Sequence, residues 1–336
     1  MVNIKKIGIP KEVSTKWFDD LVKNSMLMPV ILKRITKLER KIRELDPELK
    51  NRMHILVWRN VGGIGDIVMQ SVIARELKIK YPNSYIVYQV PEKYLAIPRH
   101  NPYVDEAQIV ENPFTEGAFD KTIKLSNPCP ASIYEQTRDV VRDRIDLFLN
   151  TAGIKTKDKK LVYKVTDHER DWAKEFLKEN KALDKIKIGF ELRSIERRRD
   201  WTEWKKLAGL IYKGIKNSKI FIFDHDGHMA WKDKKVVNVC GFSIEKVVAI
   251  IEKLDLIIGP DSGLLHLAGA VGTKMLGLFG PINPMLRLNT YKGADWICLT
   301  KKCCKDFCWY SYPCGDSKCM KAIKPSMVLE KMKRML

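Results

Sequence analysis

The 336-residue chain has no apolar stretch long and clean enough to cross a bilayer. Its longest mostly apolar segment, residues 264–281, is interrupted by His266, Lys274 and several glycines, and reads as a helix, a turn and a strand. A secretory leader is not expected either. The first ten residues carry lysines but no apolar core follows them, and the run from Met26 to Leu32 contains Pro29 and ends at Lys33-Arg34. The chain therefore reads as cytosolic. Acidic residues are scarce relative to basic ones, 41 against 61, which leaves a net charge of +20. Such an excess points to a polyanionic partner: nucleic acid, an acidic membrane surface or a phosphorylated substrate. No helix-turn-helix, RNA-recognition or finger pattern accompanies it, so a nucleic-acid-binding protein is the alternative reading and no nucleic-acid partner is expected.

What is present is ordinary for a folded enzyme. Hydrophobic residues make up 45% and charged residues 30%, which excludes a wholly disordered chain, and the length predicts about two domains. The first fifty residues stand apart. Ile31, Ile35, Leu38, Ile42 and Leu45 follow alternating steps of three and four, with Lys33, Arg34, Lys37, Arg40, Lys41 and Arg43 between them. Pro29 and Pro47 frame this basic amphipathic helix. Its apolar stripe is expected to dock on the protein's own body, with dimerisation or membrane-surface binding as alternatives. Residues 1–50 hold 12 Lys+Arg against 7 Asp+Glu, and residues 301–336 hold 9 against 3, so more than half of the excess charge flanks the central body.

From residue 51 the pattern alternates strand, turn and helix. Ile55 to Trp58 reads as a buried strand, Gly62 to Gly65 as a turn, Asp66 to Lys80 as a helix and Tyr85 to Val90 as the next strand. A helical stretch near Tyr134 to Thr151 closes this half. A second alternation begins with strand Ile186 to Phe190 and continues through strands at 219–223, 256–258 and 275–279, with helices between. The organisation expected is a prefix at 1–50, one α/β half at 51–170 and a second at 171–336, each with a parallel sheet. Ligands of such sheets bind beyond the carboxyl ends of the strands, so the loops beginning at Asn60, Glu191, Asp224 and Gly259 are the candidates for chemistry.

Two of those loops carry motifs. Gly62-Gly63-Ile64-Gly65-Asp66 lacks both the G-x-G-x-x-G spacing of a dinucleotide fingerprint and the Gly-Lys-Ser/Thr ending of a P-loop, so neither NAD nor ATP chemistry follows. Its glycines still let backbone approach a ligand. Asp66 either stabilises the first helical turn electrostatically or serves as a general base facing a cleft. The second loop, Gly259-Pro260-Asp261-Ser262-Gly263-Leu264-Leu265-His266, is delivered by a buried strand to a helix N-terminus. There Asp261 or Ser262 can cap the helix, and Ser262, the adjacent amides and His266 can share an anion. His266 is equally readable as a structural histidine, and Arg197-Arg198-Arg199 as a solvated charge run.

Together, the D-S-G-x-x-H-x-A-x-A segment from Asp261, the downstream Phe279-Gly280-Pro281, the earlier G-x-G-D loop, Asn101-Pro102-Tyr103-Val104-Asp105 and Cys319-Met320 resemble glycosyltransferase family 9, the lipopolysaccharide heptosyltransferases. The resemblance runs from about Met53 to Val328 and leaves the prefix outside. It implies a GT-B architecture, with an acceptor-side half followed by a nucleotide-sugar half, and inverting transfer with no catalytic cofactor. Asp66 would then be the base. Gly63, Gly65, Arg193, Asp261, Ser262, Gly263 and His266 would hold the nucleotide sugar, and ADP-heptose would be its expected form. A glycan or glycolipid hydroxyl would be the acceptor. Arg199-Asp200-Trp201-Thr202 stands where the family commonly has Lys-x-Trp-Pro, so Arg199 would neutralise the leaving diphosphate. The flanking basic charge would favour an anionic membrane surface, at the inner face of the inner membrane.

Two features are left over. Asp224-His225-Asp226 reads as a D-x-D, which would suit a metal-dependent transferase. Five cysteines crowd residues 303–319, and Cys304, Cys308, Cys314 and Cys319 can either converge on a structural zinc or iron or remain reduced thiols. They lack a paired C-x₂-C, and disulfides are disfavoured in the cytosol.

Overall fold

The computed structural model describes residues 49–110, 118–126, 142–224, 230–233, 235–309 and 317–336, together with positions 36–38, 40, 41 and 44–46 of the prefix. The described prefix positions are helical apart from Asp46, and Leu38 and Leu45 are 60% and 76% exposed. Those two stripe leucines are thus not docked on the body as expected. The described helices include none long and apolar enough to cross a membrane.

The first sheet is four-stranded and wholly parallel, in the order β3-β2-β1-β4. Its strands are β1 (Met53–Trp58), β2 (Ser84–Val90), β3 (Glu106–Ile109) and β4 (Lys121–Lys124). The helix expected after β1 is divided into α1 (Ile64–Met69) and α2 (Ser71–Lys80), with Gln70 between them buried beside Tyr88. Asn101 is a brace. Its Nδ2 donates to the Ser71 carbonyl 2.8 Å away, tying the segment after β2 to the start of α2. Helix α3 (Arg144–Thr151) begins at Asp143, whose carboxylate accepts from the Ile145 N–H.

The second sheet is six-stranded and also parallel, in the order β10-β9-β8-β5-β6-β7. It comprises β5 (Ile186–Glu191), β6 (Ser218–Asp224), β7 (Val236–Cys240), β8 (Leu256–Pro260), β9 (Met275–Phe279) and β10 (Ala294–Cys298). Counted from β5, its order repeats that of a doubly wound dinucleotide-binding sheet, and β3-β2-β1-β4 is the matching part of the same order. β8 and β9 are buried along their whole length, which is what helices on both faces of a parallel sheet produce. Helices α5 (Trp204–Gly214), α6 (Ile244–Glu252), α7 (Gly263–Val271) and α8 (Pro325–Met335) cover this sheet, with α8 against α5.

The boundary expected at 170 falls inside a helix, α4 (Asp167–Glu179), which is bonded to both halves. Glu169 meets His100 Nε2 at 2.7 Å, and Arg170 binds Glu252 of α6 through Nε and Nη2 at 2.9–3.2 Å. Trp172 and Phe176 stack on each other and meet Phe242, beside α6, edge to face. Capping explains the start of α4, since Thr166 and Glu169 each accept from the other's backbone N–H.

Candidate active site

The order of each sheet reverses once, between β1 and β4 in the first and between β5 and β8 in the second. The loops leaving β1 and β8 at these two points carry the glycine motifs, and they meet. A Cβ on Gly65 would lie 2.8 Å from the His266 ring, and one on Gly263 would lie 2.7 Å from Ile64 and 3.2 Å from the Gly65 nitrogen. The N-terminal ends of α1 and α7 therefore pack with almost no side chain between them. Gly65 and Gly263 are needed here for contact between the halves. Gly63 is more open, with only Ile195 near, and its N–H donates to Asp66 Oδ2 at 3.1 Å.

Asp66 is 12% exposed and faces two guanidinium groups, Arg144 at 3.1 Å and Arg59 at 3.3 Å. Burial works to raise its pKa, but Arg144, Arg59, the Gly63 N–H and Arg287 together hold the carboxyl below the ordinary range. It is ionised throughout the physiological range. Gly62 has φ +101° and lies directly over the Asp66–Arg59 pair, so both its conformation and its missing side chain are required.

Asp261 mirrors this arrangement from the second half. Arg199 Nη1 lies 3.0 Å from its carboxylate and Arg287 Nε lies 3.8 Å away, with Arg287 only 1% exposed. Its backbone carbonyl accepts from Ser194 Oγ at 3.1 Å and from Arg199 at 3.2 Å. Burial again favours the neutral acid, and Arg199, Arg287, His266 and Arg144 reverse it. Each carboxylate therefore feels an arginine from the other half: Arg287 acts on Asp66, and Arg144 on Asp261. The two loops form one electrostatic unit.

His266 is buried on α7, and its Nδ1 meets the Tyr291 hydroxyl at 2.6 Å. Burial, against the attraction of Asp261, brings its pKa down to about 4, so the ring is neutral at pH 7. Gly269 makes room for the Tyr291 ring at 3.0 Å. Ser262 bonds through Oγ to Glu191, a buried residue at the end of β5.

Arg193 donates through Nε and Nη2 to Asp224 Oδ1, at 2.9 and 2.7 Å. That pairing occupies the first carboxylate of the D-x-D, and Asp226 lies outside the described residues. Of the proposed thiols, Cys314 is likewise outside. Cys319 is pushed up to about 11 by burial and by the nearby Cys304 and Cys308. Among the described residues no three His, Cys, Asp or Glu side chains are gathered to hold a metal.

The structure thus gathers Asp66, Asp261, Ser262, His266, Arg193 and Arg199, named from the sequence, around these loops, and adds Arg59, Arg144, Arg287 and Tyr291, with Glu191, which the sequence marks only as the start of a loop. Arg59 had a usable signal, since it is the first residue after β1. Arg144, Arg287 and Tyr291 reach the cleft from segments that carry no motif.

Two doubly wound sheets whose carboxyl edges meet at one arginine-lined cleft define a two-domain α/β protein of GT-B type. The profile of glycosyltransferase family 9 (heptosyltransferase) matches residues 130–308, and the chain belongs to that family. It is 34% identical over 71 residues to the lipopolysaccharide core heptosyltransferase OpsX of Haemophilus influenzae. That match spans 18% of this chain and 20% of the relative. The fold is similar to that of a glycosyltransferase family 9 protein from Veillonella parvula, with a TM-score of 0.68 at 18% identity over 86% of this chain and 98% of the other. It is also similar to the ADP-heptose lipopolysaccharide heptosyltransferase II of E. coli, with a TM-score of 0.66 at 16% identity over 84% and 98%.

Proposed function

We propose that the protein transfers a heptose from ADP-heptose to a hydroxyl of a lipopolysaccharide-core-like glycan or glycolipid, with inversion and without a catalytic metal. The observation that carries this reading is the meeting of the two loops. It sets an ionised carboxylate of the first half, Asp66, against the N-terminus of α7 and the Arg199 and Arg287 guanidinium groups of the second. Membership of the family, and the ADP-heptose for which the E. coli structural relative is named, support the choice of sugar and nucleotide.

The chemistry follows from that placement. The acceptor hydroxyl attacks the anomeric carbon from the face opposite the diphosphate, and Asp66 takes its proton as the new C–O bond forms. The bond from the anomeric carbon to the diphosphate oxygen breaks, and ADP leaves with the electron pair. Arg199 and the N-terminal end of the α7 dipole stabilise the departing charge, and His266 Nε2 supplies a neutral donor. Asp224, paired with Arg193, would meet the donor's ribose rather than a metal ion. The basic flanks, at residues 1–50 and 301–336, would keep the enzyme near an anionic membrane surface that carries the acceptor.

A panel of nucleotide sugars and free nucleotides, scored by thermal stabilisation, tests the donor. Protection by ADP and ADP-heptose is expected; protection by UDP or GDP compounds alone would overturn the assignment. Co-sedimentation with anionic vesicles, before and after deletion of residues 1–50, tests the membrane part, and equal binding by both forms would remove the prefix from that role.

A further inference from the structure

The carboxyl groups around the two meeting loops are not treated alike. Asp66 and Asp261 each have two arginine partners. Glu191 has no cation within ion-pair distance among the described residues. Its neighbours are the Ser262 hydroxyl, the Leu264 N–H and the negatively charged Asp261. It lies beneath Gly259, where a Cβ would come within 2.9 Å of Glu191 Oε2. Arg193, two residues further on in the loop that leaves β5, donates instead to Asp224 at the end of β6. A buried carboxyl beside an anion, with no cation to pair with, is favoured with its proton on, against the pull of its two hydrogen-bond donors.

We propose that Glu191 is a positioning residue that keeps its proton and donates it to Ser262 Oγ, which turns the Ser262 hydroxyl outward as a donor to an anion bound at the start of α7. An ionised Glu191 would do the reverse. It would draw the Ser262 proton inward and place a second negative charge beneath the anion site. Burial, countered in part by Ser262 and Leu264, raises the Glu191 pKa to about 8, so the outward-donating state prevails at neutral pH. The inference rests on the donor reading above for the nature of the anion, a diphosphate. Glu191 touches Ser262 rather than the ligand, which is why its role is one of positioning.

Two measurements test it. The first needs no ligand: difference infrared spectra of wild type and Glu191→Gln at pH 7 should show a protonated carboxyl band in the wild type only. A carboxylate signal for Glu191 at that pH would overturn the proposal. The second is calorimetric titration with ADP between about pH 7 and about pH 9.5. Wild-type affinity should fall by about tenfold over this range as Glu191 ionises, and Glu191→Gln, which donates permanently to Ser262, should change by less than about twofold. Parallel pH profiles for the two proteins would overturn the proposal. A wild type that binds no ADP at any pH would overturn the donor reading, and with it the diphosphate at this site, while the infrared result still decides where the proton resides.

Discussion

The two loops that meet at the cleft use the same parts differently. Each ends a parallel strand at the point where its sheet reverses order, each starts a helix, and each holds an aspartate between two arginines. Asp66 sits within the first turn of α1 and remains 12% exposed, with Gly62 and Gly63 leaving its approach bare. Asp261 lies before α7, almost sealed, and its backbone carbonyl is also bonded by Ser194 and Arg199. The first carboxylate is presented to the cleft. The second fastens three segments of its own half. An aspartate in a conspicuous motif can therefore face a cleft or be sealed in as a strut, and its solvent access distinguishes the two.

Substitution should separate these roles. The largest effect is expected from Asp66→Asn, which should lower transfer by about 10³-fold while ADP binding stays within about threefold. Near-normal turnover in that variant would remove Asp66 from the role of base. Asp261→Asn should give the opposite pattern, with stability lowered by about 3 kcal/mol because the nearly sealed Arg287 and Arg199 lose their carboxylate. Denaturant titration measures it, and an unchanged midpoint would refute the strut. Gly65→Ala inserts a methyl group 2.8 Å from the His266 ring and should cost about 1–3 kcal/mol or separate the halves. A lowered melting temperature or an enlarged radius of gyration in solution scattering would report either outcome.

The smallest effect concerns acid. His266 has a folded-state pKa of about 4, below its unfolded value, so the unfolded chain takes up the proton first as pH falls. Its contribution to stability is complete above about pH 6.5 and declines towards pH 4. Asp66 and Asp261, whose values are depressed, begin to lose theirs only below the ordinary carboxylate range. A melting temperature that falls between about pH 6.5 and pH 4.5 in wild type, and is flatter in His266→Gln, would bear this out.

The legible part of the fold was the part with long buried strands. β8 and β9 are buried throughout, and β1 and β5 are buried over His54–Val57 and Ile188–Glu191. β3 and β4 escaped because they are four-residue edge strands of mixed polarity, Glu-Ala-Gln-Ile and Lys-Thr-Ile-Lys, whose pairing comes from their neighbours. β7 and β10 are likewise edges of the second sheet. In the site, motif loops declare themselves by glycine spacing. The arginines that set their charge do not, because in a chain with 61 basic residues nothing local distinguishes Arg144 or Arg287 from a solvated cation. Tertiary placement alone buries them. Glu191 was visible as the start of a loop, yet its lack of a counter-ion belongs to three dimensions.

The tryptophan after Arg199 ties the working end of the molecule to its last residues. Trp201 is buried, its indole N–H donates to the Ile323 carbonyl at 3.0 Å, and its ring meets Trp204 edge to face at 4.9 Å. From Ile323 the chain passes into α8, which lies against α5. The arginine loop is thus moored at its far side by the carboxyl-terminal segment, as a guy line holds a mast. The loop that carries Arg199 is therefore positioned in part by residues more than a hundred positions further along the chain.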